Sequence, residues 1–157
     1  MTCDVRLGRI LGLPAIHGEK LAGHVERAVL DREGRALRGL MLRRGLFSSR
    51  WIGRDGVGVL GDVSVILSST PVRPPRDTDF ALTTVKDESG LTLGRVTDVW
   101  LCPETMAVTA LEVTLGPLED MRTGRLRVQE WTVQTGGDGT AQVLIPRKEW
   151  QAEEVTG

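Results

Sequence analysis

The sequence predicts an all-β protein made of two tandem small antiparallel β-barrel units with a short C-terminal helix or tail. Three observations carry that expectation. Apolar residues alternate with a period of two, glycine-rich turns punctuate the alternation every eight to twelve residues or so, and the whole pattern occurs twice. The composition agrees: 19 Gly, no Tyr, two Phe and four Trp in 157 residues, with Val, Leu and Thr plentiful.

In the first half, Leu21 to Leu30 alternates as a strand and runs into Asp31-Arg32-Glu33-Gly34, a four-residue turn with Gly where a positive φ costs little. Ala36 to Arg43 returns as the second arm of that hairpin. Arg50 to Ile52, Gly58 to Leu60 and Ser64 to Leu67 follow as short strands. Ser68 to Asp77 then holds three prolines, Pro71, Pro74 and Pro75, which forbid a regular ladder and favour an extended connection. The expected organisation is a first unit over 1–70, a linker over 71–78 and a second unit over 79–157.

The second half repeats the device. Leu93 to Leu101, a turn at Cys102 to Thr105 and Val108 to Thr114 form its hairpin, and Gly124 to Val128, Trp131 to Val133 and Ala141 to Ile145 follow, the last after the turn Gly136-Gly137-Asp138-Gly139. A shift of 71 residues lays Gly23–Arg43 on Gly94–Thr114 without a gap, which marks an internal duplication. A unit of about 70 residues is near the lower limit for an independent core, so the two are expected to pack on each other or on another chain. The one helix-tolerant piece is the tail Arg147 to Glu154, whose Trp150 is placed to dock on a barrel.

The run Gly18-Glu19-Lys20-Leu21-Ala22-Gly23-His24-Val25 through Asp31-Arg32-Glu33-Gly34 to Leu40-Met41-Leu42 resembles the opening of a PRC-barrel domain. Gly90 and Leu93-Gly94-Arg95-Val96-Thr97-Asp98-Val99-Trp100-Leu101 repeat the resemblance, departing at Pro103 and Thr105, where the family has an Asp-x-x-Gly turn. The resemblance implies two small β-barrels of a kind found in the H subunit of the purple bacterial photosynthetic reaction centre, in a ribosome maturation factor and in small stand-alone bacterial proteins. It implies a domain that holds a partner rather than one that carries catalysis; fold alone does not settle function.

Several chemistries are weighed and set aside. Gly56-Val57-Gly58-Val59-Leu60-Gly61 spells a dinucleotide fingerprint but leads into the strand-like Asp62 to Leu67 instead of a helix, so its glycines are expected to be turn residues and no cofactor is expected. His17 and His24 match no metal-ligand spacing. Cys3 and Cys102 are expected to be free thiols, and no nucleophile stands in a catalytic context. The carboxylate pairs Asp87-Glu88, Glu119-Asp120 and Glu153-Glu154 are expected in turns or termini as solvated charge. No stretch is long and apolar enough to span a bilayer and no signal peptide is legible, so a cytoplasmic location is expected.

Charge is unevenly distributed. Residues 1–78 hold 13 Lys and Arg against 8 Asp and Glu, a net of +5, and the remainder of the chain's 20 and 21 leaves 7 against 13, a net of −6. The halves are placed to attract each other within the chain or head-to-tail in a homodimer, the basic half to meet RNA or an acidic protein, or the asymmetry to be solvated surface. Arg43 and Arg44 precede Leu46-Phe47-Ser48-Ser49-Arg50-Trp51, the expected tip of a hairpin. Phe47 and Trp51 beside these arginines make a candidate partner-binding spot, with Phe47 the better interface candidate and a core-facing Trp51 the favoured reading of that residue. The functional expectation is a non-catalytic adaptor holding a protein partner; the alternative is an RNA- or ribosome-associated assembly factor using the arginine-rich half.

Overall fold

The computed structural model describes residues 4–135 and 140–150. The predicted turn at Gly136–Gly139, Cys3 and the tail beyond Trp150 lie outside the described residues.

The described residues fold into two curled β-sheets with three short α-helices. The six-stranded sheet contains β2 (Pro14–His17), β3 (Lys20–Leu30), β4 (Leu37–Arg44), β5 (Ser48–Gly53), β6 (Val57–Leu60) and β7 (Val65–Leu67), in the order β5-β4-β3-β2-β7-β6. The seven-stranded sheet contains β8 (Leu82–Lys86), β9 (Thr92–Leu101), β10 (Val108–Thr114), β11 (Leu126–Val128), β12 (Thr132–Thr135) and β13 (Ala141–Leu144), in the order β11-β10-β9-β8-β13-β12, with β1 (Val5–Arg6) added on β9. The two orders are the same once six is added to each label. Pairing is antiparallel except between β2 and β7 and between β8 and β13, one parallel pair per sheet. The glycines of the fingerprint-like run fall at Gly56, in a 3-10 turn, and in and after β6, which leads to β7 and not to a helix.

The shift of 71 residues extends to the hydrogen-bonding register. Six residue pairs join β3 to β4, from His24 with Arg43 to Leu30 with Leu37, and adding 71 to both members of each gives the six pairs that join β9 to β10. Even the irregularities recur: the ladder skips Glu26 and Arg38 in one hairpin and Thr97 and Thr109, their counterparts, in the other. Each skip is a β-bulge that bends its strand and curls the sheet. Gly23 and Gly94 are also equivalent, and at both a methyl group would strike a carbonyl across the strand pair, that of Arg43 at 2.7 Å and that of Thr114 respectively.

The units meet about a pseudo-two-fold axis. Ala36 pairs antiparallel with Ala107, its own counterpart, and the amides of Leu37 and Val108 donate reciprocally to the carbonyls of Met106 and Arg35. Such a self-complementary contact is what a two-fold dimer interface looks like. One continuous apolar core spans both sheets, with Leu37, Leu40 and Leu42 from one and Leu101, Leu111 and Ile145 from the other.

The segments leading into the units are exchanged. Residues 4–10, which precede β2, join the other sheet: β1 pairs with β9, Arg6 reaches its outer face, and helix α1 (Leu7–Ile10) buries Leu7 and Ile10 in the shared core. Residues 72–79, which precede β8, strap the outer face of the six-stranded sheet: Val72 and Trp51 exchange backbone hydrogen bonds at 2.7 and 2.8 Å, Arg38 donates to the Asp77 carbonyl at 2.8 Å, and Arg27 faces Asp79 at 3.7 Å. The two keys carry opposite charges. Arg27 on the first sheet meets Asp79 of the strap, whereas its counterpart Asp98 meets Arg6 at 3.2 Å.

Helix α2 (Pro117–Thr123) fills the connection between β10 and β11, where the acidic pair Glu119-Asp120 was expected in a turn; Pro117 at its first position suits a helix start. Helix α3 (Arg147–Trp150) begins the predicted tail helix. No helix among the described residues is long and apolar enough to cross a membrane.

Candidate partner-binding surface

Strands β4 and β5 are joined by the three-residue loop Gly45-Leu46-Phe47, with Arg44 opposite Ser48. Gly45 takes φ +74°, the left-handed conformation such a tight connection uses. Phe47 keeps 99% of its surface accessible, and Leu46 is also exposed.

The five residues expected to bind a partner do not form one patch. Side chains alternate across the sheet, so Arg44 and Arg50 share the face of Leu42 at the rim of the core, while Arg43 and Trp51 project from the opposite, outer face. Arg43 is held by Glu26 at 3.6 Å, which also accepts a hydrogen bond from the Ser49 hydroxyl. Trp51 is only 7% exposed, so it is a buried structural residue, in keeping with the favoured reading of it, and not part of an exposed contact spot. It packs with Val29 and Met41 in a small second cluster on the outer face, under the strap from residues 72–79 and beneath Arg38, 5.7 Å from its ring. Arg44 and Arg50 are exposed, and neither makes an ion pair with another described residue.

An apolar row missed at the sequence level continues the tip across the outer face. Val59 pairs with Ile66, Ile66 with Ile16 and Ile16 with Leu21, on four adjacent strands from β6 to β3. Val59 and Leu21 are 53% and 55% exposed, and Ile66 is exposed too. Leu21 lies three residues before His24 and Leu46 three after Arg43, the partner of His24, so the row ends level with the hairpin tip. The signal was present in Val65-Ile66-Leu67, a strand apolar on both faces in a sheet with one face open.

On the other sheet the equivalent outer face is ionic. Arg6 contacts Asp98 at 3.2 Å and Glu112 at 2.7 Å, Arg125 reaches Glu112 at 3.0 Å, and the Thr97 hydroxyl donates to Glu112 at 2.9 Å. Burial works to raise the Glu112 pKa, but hydrogen bonds from Arg125 and Thr97 and the charges of Arg6 and Arg125 prevail and hold it below the usual glutamate range. Arg6 and Arg127 lie over the Trp100 ring, at 5.3 and 4.5 Å from its centre.

A groove of about 470 Å³ opens where the first hairpin meets β12 and β13, lined by Arg35, Glu88, Trp131 and Ile145 among others. Arg35 closes one side by stacking 4.3 Å from the Trp131 ring and donating to its carbonyl. Hydrogen bonding with Thr105 holds the free Cys102 thiol below its usual pKa. His24 is exposed on β3 and His17 half-buried on β2; among the described residues no three His, Cys, Asp or Glu side chains are grouped to hold a metal.

Comparison with protein-family models and with curated proteins gives no match for this chain.

Proposed function

We propose that the protein is a non-catalytic adaptor that holds a protein partner, using its two PRC-barrel-like units as a rigid frame in the bacterial cytoplasm. The observation that carries this reading is the β4–β5 tip, where a fully exposed Phe47 stands beside Leu46 between the ladder positions of Arg44 and Arg50. A large aromatic ring held in water by a two-stranded support is unfavourable unless a partner covers it, and aromatic and arginine side chains dominate the binding energy of protein interfaces. The β4–β5 ladder, itself strapped by residues 72–79, keeps the tip preorganised, which lowers the entropy lost on binding.

The second reading is an RNA- or ribosome-associated factor. The unpaired Arg44 and Arg50 favour it, as each is free to meet a phosphate. A single exposed aromatic beside them supplies little stacking. Immobilised protein is exposed to lysate of its source cells with and without nuclease. The adaptor reading expects stoichiometric capture of one protein that survives nuclease and high salt and is lost with Phe47→Ala. Capture that disappears with nuclease or salt and with Arg43→Glu/Arg44→Glu overturns it in favour of RNA.

A further inference from the structure

The duplication supplies an internal control for the end of each unit that faces away from the other. The two long hairpins meet through their turns, at Ala36 and Ala107, so the open ends of their ladders lie on the far side of each unit from the pseudo-two-fold axis. At that end of the first unit four side chains share the core face. His17 and Lys20 pair with each other on the side of Ala15, and Arg44 and Arg50 stand on the side of Leu42. Lys20, Arg44 and Arg50 are exposed. The same ladder positions in the second unit are Asp87, Leu91, Leu115 and Leu126. One fold therefore accepts an acid and three leucines where the first unit carries a histidine and three cations. The cations are a property of the first unit's surface and not a requirement of its ladder.

The same end of each unit also exposes apolar side chains. In the first unit these are Leu46 and Phe47; in the second they are Leu91 and, on helix α2, Leu118 and Met121, three residues apart on one helix face. Glu88 and Glu119 stand beside the second set, exposed and without an ion pair to another described residue. The Asp87 carboxylate accepts from the amides of Ser89 and Leu91, which fixes the turn that presents Glu88 and Leu91.

We infer that these two ends are complementary, and that the basic end of one copy of this chain docks on the acidic end of a second copy. The inference rests on the adaptor reading only in taking the Phe47 tip as an interface, and it names what covers that tip. Charge complementarity selects the occupant. The ends differ in sign and belong to halves of net charge +5 and −6; Glu19 at the first end and Arg122 and Arg147 at the second are the exceptions. Carboxylates of Glu88 and Glu119 would meet Arg44 and Arg50 bidentately, while Leu46 and Phe47 cover Leu91, Leu118 and Met121. The apolar contact supplies affinity and the charges supply orientation. Because the contact joins two different surfaces, each docked pair still carries one free end of either sign, and the assembly closes into a ring or grows as an open chain.

The test uses the nuclease-treated full chain, followed by sedimentation velocity from micromolar to millimolar concentration. The average mass of the parent is expected to rise with concentration, and high salt to weaken the association at least tenfold. Arg44→Ser/Arg50→Ser blunts only the basic end and Glu88→Lys/Glu119→Lys reverses only the acidic end. Each is expected to weaken self-association at least tenfold with circular dichroism unchanged. Mixed one to one, the two variants are expected to associate with each other about as tightly as parent copies do, through the intact basic end of one and the intact acidic end of the other. A parent that stays monomeric, an association indifferent to either variant, or a mixture that fails to restore it overturns the inference. Association that is present only before nuclease treatment assigns the basic end to polyanions and overturns it as well. The two readings fail separately. A monomeric parent whose nuclease-resistant capture is still lost with Phe47→Ala leaves the adaptor standing without self-association, and variants that complement each other while lysate yields no other protein leave self-association standing without the adaptor.

Discussion

Replacing Arg6 by alanine tests whether the exchanged N-terminal arm holds the second unit together. Its guanidinium contacts Asp98 at 3.2 Å and Glu112 at 2.7 Å and lies 5.3 Å from the Trp100 ring. Both carboxylates are largely buried, whereas the arginine side chain is 35% exposed. Exposed pairs contribute about 0–1 kcal/mol, and losing one partner of a fully buried pair costs about 3–5 kcal/mol. This intermediate case, with Asp98 still receiving the Gly8 amide and Glu112 still receiving Arg125, should cost about 2 kcal/mol. For a chain of this size that corresponds to a fall of roughly 4–8 °C in melting temperature. The assay is urea and thermal unfolding of the parent, Arg6→Ala, Glu112→Gln and the double variant. A positive coupling of about 1 kcal/mol between the two sites is expected. A melting temperature for Arg6→Ala within a degree of the parent, or strict additivity in the double variant, would refute the claim that this contact anchors the arm.

The pH dependence follows from the same cluster. Glu112 titrates below its unfolded value, so the stability it contributes is present above the unfolded pKa of about 4.3 and is lost as pH falls through its lower folded value. Urea midpoints should therefore drop between about pH 5 and 3, and Glu112→Gln should flatten that drop. On the other sheet, Trp51→Ala should cost about 3 kcal/mol by emptying the Val29–Met41–Trp51 cluster, whereas Phe47→Ala should leave stability within about 0.5 kcal/mol, both read by chemical denaturation. At Gly94 the added methyl of Gly94→Ala meets the Thr114 carbonyl, so a loss of about 1–3 kcal/mol is expected, with a smaller loss for Gly90→Ser at a turn open to solvent; differential scanning calorimetry ranks the two.

The strands were legible because each is a run of alternating residues bounded by turns, and the duplication was legible because its two hairpins carry no gap between Gly23–Arg43 and Gly94–Thr114. The parallel pairs were not, since the local pattern of β2 or β8 contains nothing of the strand that arrives beside it some fifty residues later. The exchanged arms escaped for the same reason. Val5-Arg6 is too short to show a period, and what orders it is Asp98, Glu112 and Trp100 from the other half of the chain. The candidate site was partly legible: turn chemistry placed Phe47 at a tip, but faces depend on register, and register put Trp51 on the side of Met41 under a strap that linker composition alone did not reveal.

The two units diverge where they are free to. Their bulges, their hairpin registers and the glycine that faces a carbonyl across the ladder recur with the same 71-residue shift, because each is a backbone device that a single slip would destroy. Their outer faces do not recur. Val29, Met41 and Trp51 in one unit stand where Trp100, Glu112 and Arg127 stand in the other, and the strap over each carries the matching chemistry, Val72 at the edge of Trp51 and Arg6 between Asp98 and Glu112. With Arg27 and Asp98 of opposite charge, an arm docked on the wrong face would set like charges together, Arg6 against Arg27 and Asp79 against Asp98. A homodimer of identical units could not distinguish its two arms in this way. Fusion into one chain permits it, and the same asymmetry leaves one unit's outer row apolar, Val59-Ile66-Ile16-Leu21, while its counterpart carries Thr132, Lys86 and Thr92 around Leu144.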